Sequence, residues 1–202
     1  EEKLANIKNK FNNVHTEKFN LDEHGKIEEF IDKIYKNLEG LNILVNNAGI
    51  TMDNLSIRLT EENWKKVIDI NLTSSFLMCK FTIKKMLKNK YGKIINITSI
   101  VGHTGNVGQA NYTASKAGIV AMSKSLAMEY AKKNINVNCI SPGGVQHEGE
   151  NETFLEKYAQ KVPLGRKAKA HEISASVVFL ASDEASYVTG QNIIIDGGWT
   201  AW

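Results

Sequence analysis

Two observations predict the fold class. Strand and helix signals alternate along the chain, and several of the strand signals are apolar on both faces. Together they predict an α/β fold, a doubly wound parallel sheet covered on both sides by helices. A third observation agrees with this. The turn-forming and polar clusters Asn46-Asn-Ala-Gly49, Ser99 and Pro142-Gly-Gly144 each follow directly on a strand signal, and in such sheets ligands bind outside the carboxyl ends of the strands.

Residues 1–12 read as a helix that opens without a start signal. Val14–Asn20 reads as a strand, and Ile27–Leu38 as a helix stopped at Gly40. Leu41–Asn46 is expected as a buried strand. Thr60–Asn89 is expected as one long helix, opened by the capping pattern Thr60-Glu-Glu-Asn. Lys93–Thr98 follows as a strand, Asn111–Lys133 as a helix and Ile135–Ile140 as a strand. A polar loop and helix cover 141–161, and a helix runs from about 170 to 181. Ile193–Ile195 closes the sheet before Asp196-Gly-Gly.

The bulk properties narrow the function. A chain of 202 residues with 42% apolar and 23% charged residues is ordinary for one globular domain with a full core. Apolar runs such as Ile43–Val45 and Val177–Ala181 are far too short to span a membrane, and no basic-then-apolar leader opens the chain. The net charge of +3 is too small and too dispersed to argue for nucleic acid. Cys79 and Cys139 fall in apolar-periodic segments and read as core residues, which suits a reducing, cytoplasmic compartment. The five histidines share no ligand spacing with Cys or carboxylates, so no metal site is expected.

The chemistry is expected at Tyr112 and Lys116, which stand four residues apart in Asn111-Tyr-Thr-Ala-Ser-Lys116, thirteen residues after Ser99. At i and i+4 on a helix the two side chains share a face, and a neighbouring ammonium favours phenolate. The pair is thereby expected to lower the Tyr112 pKa towards the range useful for general acid–base catalysis, with Ser99 bonding the same substrate oxygen. Spacing alone does not decide the matter. With 6 tyrosines and 25 basic residues, nearly all lysine, chance supplies about 0.7 such pairs, and a surface lysine beside a half-buried tyrosine is the plainer reading. Asn71 lies in the long helix, where asparagine is locally unfavourable. His103 and His147 fall in loops and read as solvated. The cluster Lys88, Lys90, Lys132 and Lys133 reads either as a solvated helix end or as a dock for an acidic carrier protein.

Asn46-Asn47-Ala48-Gly49, Asn71 in Ile-Asn-Leu, Ser99, Tyr112-x-x-x-Lys116, Pro142-Gly143 and Ile195-Asp-Gly-Gly198 occur in one order. On these motifs the chain resembles the short-chain dehydrogenase/reductase family over essentially its whole length. The resemblance implies a Rossmann-like fold and NAD(P)H-dependent reduction of a ketone to a secondary alcohol. Tyr112 then protonates the alkoxide, Ser99 bonds the carbonyl oxygen, Lys116 tunes Tyr112 and holds the nicotinamide ribose, and Asn71 holds a relay water. Cofactor contacts are implied at Asn20, Leu21, Asn47, Ala48, Gly49, Tyr112, Lys116, Pro142, Gly143 and Val145.

Residues 40–142, through Thr51-Met-Asp-Asn-Leu55 and Gly105-Asn-Val-Gly-Gln-Ala-Asn-Tyr112, look most like the branch that reduces β-ketoacyl groups on acyl carrier protein in fatty-acid synthesis. That implies NADP(H) rather than NAD(H), an acyl-carrier-protein thioester as substrate, and a homotetramer built through the helices at 60–89 and 111–133. The tail, Ser141-Pro-Gly-Gly-Val145, Lys161-Val-Pro-Leu-Gly-Arg166 and Asp196-Gly-Gly-Trp-Thr-Ala-Trp202, looks more like members acting on sugars or sugar nucleotides in surface-polysaccharide or flagellin-sugar pathways. Gln146, His147 and Glu148 stand where the family's usual Thr follows Pro-Gly. A non-catalytic assembly subunit is the third alternative.

The family's first strand and its Gly-rich turn, Thr-Gly-x-x-x-Gly-x-Gly, have no counterpart among the 202 residues. The resemblance therefore implies one amino-terminally truncated domain, about 35–40 residues short, the size of one strand-helix-strand unit. Such a polypeptide alone is expected to bind cofactor poorly and not to turn over, because the pyrophosphate lacks its helix N-terminus.

Overall fold

In the computed structural model, which describes Leu4, Asn6, Ile7, Lys10, Phe11 and residues 13–201, four strands form a wholly parallel sheet in the order β1-β2-β3-β4. They are β1 (Ile43–Asn46), β2 (Gly92–Ile97), β3 (Ile135–Pro142) and β4 (Asn192–Ile195). Among the described residues the longer helices are α1 (Ile27–Asn37), α2 (Glu61–Ile68), α3 (Ser74–Asn89), α4 (Ala110–Tyr130), α5 (Glu152–Ala159) and α6 (Ala170–Ala181), with a single helical turn at Val101–Thr104. The α/β class predicted from the alternation is the class observed.

Side-chain alternation sorts the two cores. Leu44, Ile94 and Val137 lie in one cross-strand row and pack under α3 and α4 with Cys79, Ile83, Met86 and Leu126. The next residue along β2, Ile95, points the other way, joining Ile140, Ile173 and Leu180 beneath α6. Ile94 and Ile95 are 1% and 0% exposed, and each contributes about 1.5–3 kcal/mol by leaving water. Both free thiols are buried, which pushes Cys79 to about 12 and Cys139 to about 11 and leaves them as inert core residues. A Cβ on Gly92 would stand 2.3 Å from Met86 Sδ, so the glycine at the start of β2 lets the buried Met86 side chain pack against the strand.

Three expectations are corrected. Residues 14–20 form no strand. A strand needs a hydrogen-bonding neighbour, and among the described residues no strand pairs with this segment. Phe19 instead stacks on Phe30 of α1, with ring centroids 4.3 Å apart. The strand expected over 41–46 is shorter and half covered, with Leu44 buried but Ile43 and Val45 exposed. It is the edge of the sheet, where α3 and α4 cover one face. The predicted helix over 1–12 lies largely outside the described residues.

The third correction concerns 60–89. Thr60 does cap the segment, its Oγ1 accepting from Asn63 N at 3.1 Å. The helix is not continuous, however, because Asp69–Thr73 is a π turn between α2 and α3. The widened turn loosens the regular backbone ladder. Hydroxyls bond back to carbonyls of this turn: Ser74 Oγ donates to Ile70 O at 2.5 Å and Ser75 Oγ to Asn71 O at 2.6 Å. Asn71 sits at the centre of this turn and is completely buried. Such bulges concentrate at functional sites.

Candidate active site

The carboxyl ends of β1, β2 and β3 deliver the Asn47–Gly49 turn, Thr98-Ser99 and Pro142-Gly143 to one edge of the sheet. The first turns of α4 bring Tyr112 and Lys116 over that edge. The result is a cleft of about 420 Å³ lined by Asn47, Gly49, Ser99, Tyr112, Lys116 and Gly143, with Pro142, Val145 and His147 at its border. Leu21 meets Asn47 and Ala48 in an adjoining cavity of about 130 Å³. Asn20 is exposed, its Oδ1 accepting from Asp22 N at 3.3 Å. The other catalytic and cofactor residues implied by the resemblance, apart from Asn71 beneath, line one of these two cavities.

Beneath the cleft a polar row fixes the strand ends. Asn46 Nδ2 donates to Asn96 Oδ1 at 2.8 Å, and Asn96 Nδ2 donates to Ser123 Oγ of α4 at 2.8 Å. Asn46 is thus more than a turn residue, because it ties β1 to β2 at the register point where the two asparagines pair. Asn71 performs a similar task from the π turn. Its Oδ1 accepts from Ile50 N at 2.8 Å, and its Nδ2 donates to Ile50 O at 3.0 Å and Ser115 Oγ at 3.1 Å. Ser115 Oγ in turn donates to Tyr112 O at 2.7 Å. One buried amide therefore clamps the loop after Gly49 to the turn of α4 that carries both Tyr112 and Lys116. A Cβ on Gly49 would lie 3.3 Å from Asn71 Oδ1 and 3.4 Å from Lys116 Nζ, so the glycine lets the backbone close on both.

The electrostatics reverse the sequence-based expectation for the tyrosine. Burial raises the Tyr112 pKa, the Ser99 hydroxyl beside it pulls the other way, and the Asp53 carboxylate adds to the rise. Lys116 does not lower it here. Its ammonium donates to Ile97 O at 2.9 Å and lies over the Tyr112 ring, 5.6 Å from the centroid. The i, i+4 spacing brought the residues together, but the strand-end carbonyl captured the charge. Lys116 is 3% exposed, and burial pushes its own pKa down to about 8.

Lys116 also supplies the test of whether a nicotinamide cofactor fits. A buried ammonium has three N–H donors. Among the described residues one goes to Ile97 O, leaving polar hydrogens on the side that faces the cleft. Ribose hydroxyls are the partners such donors lack, and Gly49 and Gly143 line the same cleft without side chains. The residues fit the group.

A second cavity, of about 630 Å³, opens from the same Ser99 and Tyr112 and is walled by Ile100, Val101, Phe154, Tyr158 and Trp199. The sequence reading missed this wall. The spacing Phe154-x-x-x-Tyr158 on a helix carried the signal, whereas the arrival of Trp199 from the tail did not show in any local pattern. His103 is exposed, as its reading as a solvated residue expects, and its Nε2 also meets Ser141 Oγ at 3.1 Å and Asn192 Nδ2 at 2.8 Å, tying the turn after Ser99 to β3 and β4.

A parallel sheet with a tyrosine–lysine pair over its carboxyl edge frames a ligand cleft, and comparison with known proteins says which class of protein this is. The family model described as enoyl-(acyl carrier protein) reductase matches residues 1–200. The chain is 47% identical over 202 residues to the 3-oxoacyl-[acyl-carrier-protein] reductase FabG of Rickettsia felis, covering 98% of this chain and 82% of that protein. It is 41% identical over 196 residues to the FabG reductase of Aquifex aeolicus, covering 95% and 79%. Nodulation protein G of a Rhizobium species is 43% identical over 182 residues, covering 89% and 74%. The chain belongs to the short-chain dehydrogenase/reductase family, NAD(P)-dependent oxidoreductases that act on CH–OH groups. Among the described residues no helix is long and apolar enough to cross a membrane.

Proposed function

We propose that this protein, as one dehydrogenase domain, reduces 3-oxoacyl groups carried on acyl carrier protein to 3-hydroxyacyl groups in fatty-acid synthesis. The observation that carries the reading is the shared cleft. Ser99, Tyr112 and Lys116 meet at its floor, and an apolar-walled cavity leads away from the same Ser99 and Tyr112. Similarity to the FabG reductases supports the substrate class.

When bound, the nicotinamide supplies hydride to the carbonyl carbon. The raised pKa keeps the Tyr112 phenol protonated at neutral pH, so Tyr112 Oη holds the proton that the carbonyl oxygen takes. Ser99 Oγ accepts from Val101 N at 3.2 Å, which leaves its own O–H to donate to that same oxygen, an oxyanion donor fixed in advance. Lys116, one of whose N–H donors goes to Ile97 O, turns the others to the ribose hydroxyls. Asn71 uses one Oδ1 lone pair on Ile50 and keeps the second for the relay water. Asn20, Leu21, Asn47, Ala48 and Gly49 take the adenosine side, and Pro142, Gly143 and Val145 the nicotinamide side.

The cofactor preference is proposed as NADP(H), in keeping with the reductive, chain-building branch. The assembly is proposed as a cytoplasmic homotetramer through α3 and α4, whose Phe76, Leu87 and Met128 are left exposed. The test is NADPH oxidation with acetoacetyl-acyl carrier protein against a panel of keto sugars and sugar nucleotides. Turnover confined to the thioester supports the reading; turnover confined to a keto sugar overturns it.

A further inference from the structure

We propose that Lys157 and Lys161 form an anion subsite for the phosphate of the pantetheine arm that carries the acyl group, a step that rests on the thioester reading above. The cavity leading from Ser99 and Tyr112 is lined by three lysines and by no carboxylate. An apolar substrate needs no such charge, and a neutral sugar gains little from it.

The charge is arranged by one helical face. Phe154, Lys157, Tyr158 and Lys161 stand at i, i+3, i+4 and i+7 along α5 and the turn after it, the spacing of a single stripe, and all four line the cavity. Two anchors fix which way the stripe faces. Tyr158 Oη accepts from Gly144 N at 2.5 Å, just beyond β3, and its ring stacks on Trp199 with centroids 5.1 Å apart. A Cβ on Gly144 would meet Tyr158 Cζ at 2.5 Å, so the glycine permits this docking.

The third lysine has a different task. Lys167 is side-chain buried, pairs with Glu150, and lies over Phe154 at 4.6 Å and Tyr158 at 5.3 Å. Its charge is satisfied, and it braces the aromatic rings from behind. Lys157 and Lys161 pair with no carboxylate among the described residues. Two uncompensated ammonium groups one helical turn apart suit a single phosphate, with its several acceptor oxygens. Phe154 and Tyr158 on the same stripe suit the methyl and methylene groups of the arm, which lies in the cavity that Ser99 and Tyr112 also line.

The experiment is a calorimetric titration of the protein with two probes that differ only in the phosphate, acetoacetyl-4′-phosphopantetheine and acetoacetyl-pantetheine. The phosphorylated probe is expected to bind about tenfold more tightly, the size of a charge-assisted contact. That advantage is expected to shrink at high salt and to vanish in the K157E/K161E double variant. Equal binding of the two probes to the wild-type protein overturns the proposal, as does a preference that survives in the double variant. Acetoacetyl-coenzyme A and acetoacetyl-acyl carrier protein, both bearing this phosphate, then rank the two carriers. Failure of the thioester reading shows separately, as absence of NADPH-dependent turnover with every thioester while the binding preference persists.

Discussion

Replacing Lys116 by methionine is expected to make the protein more stable while removing its chemistry. The side chain is 3% exposed, and its pKa falls from the ordinary 10.5 to about 8 because burial disfavours the charged form. That difference corresponds to about 3 kcal/mol held against folding at neutral pH. The unfolded chain keeps its proton up to pH 10.5 and the folded chain only up to about 8. Between those values the unfolded state binds more protons, so stability rises with pH across the window, and the full cost applies below it. Methionine has nearly the same length and no charge. The lost bond to Ile97 O offsets about 1 kcal/mol, leaving a net gain of about 2 kcal/mol. For a chain of this size that is a rise of about 4–8 °C in Tm. Urea unfolding of both proteins at pH 7 and at pH 10.5 measures it. The variant should be the more stable at pH 7, and its lead should close at the higher pH. A variant less stable at pH 7, or a lead that does not change with pH, would refute the burial cost assigned to Lys116.

Other outcomes follow from the same geometry. Asn71→Ala orphans both backbone groups of Ile50 and is expected to cost about 2–4 kcal/mol in denaturant unfolding, with activity lost as the Gly49 loop drifts. Gly143→Ala places a Cβ 2.9 Å from the backbone Cα of Asp196, which cannot yield cheaply. A loss of about 1–3 kcal/mol by thermal unfolding is expected, with a raised KM for the cofactor. The ketone-reducing rate should fall as pH rises through about 8, where Lys116 sheds its proton; a rate flat to pH 10 contradicts the role given to that ammonium as the donor to the ribose hydroxyls.

Much of this was legible in the sequence for a physical reason. Ile94, Ile95, Val137 and Ile140 are buried on both sheet faces, so their segments read as continuous apolar strands, and a parallel sheet places the residues that follow at its ligand-binding edge. What stayed hidden depends on partners distant in the chain. Val14–Asn20 has strand composition, but a strand exists only beside another. Asn71 looked unfavourable in a helix, yet nothing local revealed that the helix opens into a π turn around it. The Tyr112–Lys116 spacing gave the proximity correctly and the electrostatics wrongly, because Ile97 O, nineteen residues away in sequence, takes the ammonium. The aromatic wall of Phe154, Tyr158 and Trp199 needs α5 and the tail brought together.

The most direct test of the account is the Tyr112→Phe variant, assayed for NADPH-dependent reduction of acetoacetyl-acyl carrier protein beside the wild-type protein. Removing one hydroxyl should lower kcat by about 10²–10⁴-fold and leave far-ultraviolet dichroism unchanged. A variant that keeps most of its activity would contradict Tyr112 as the proton donor.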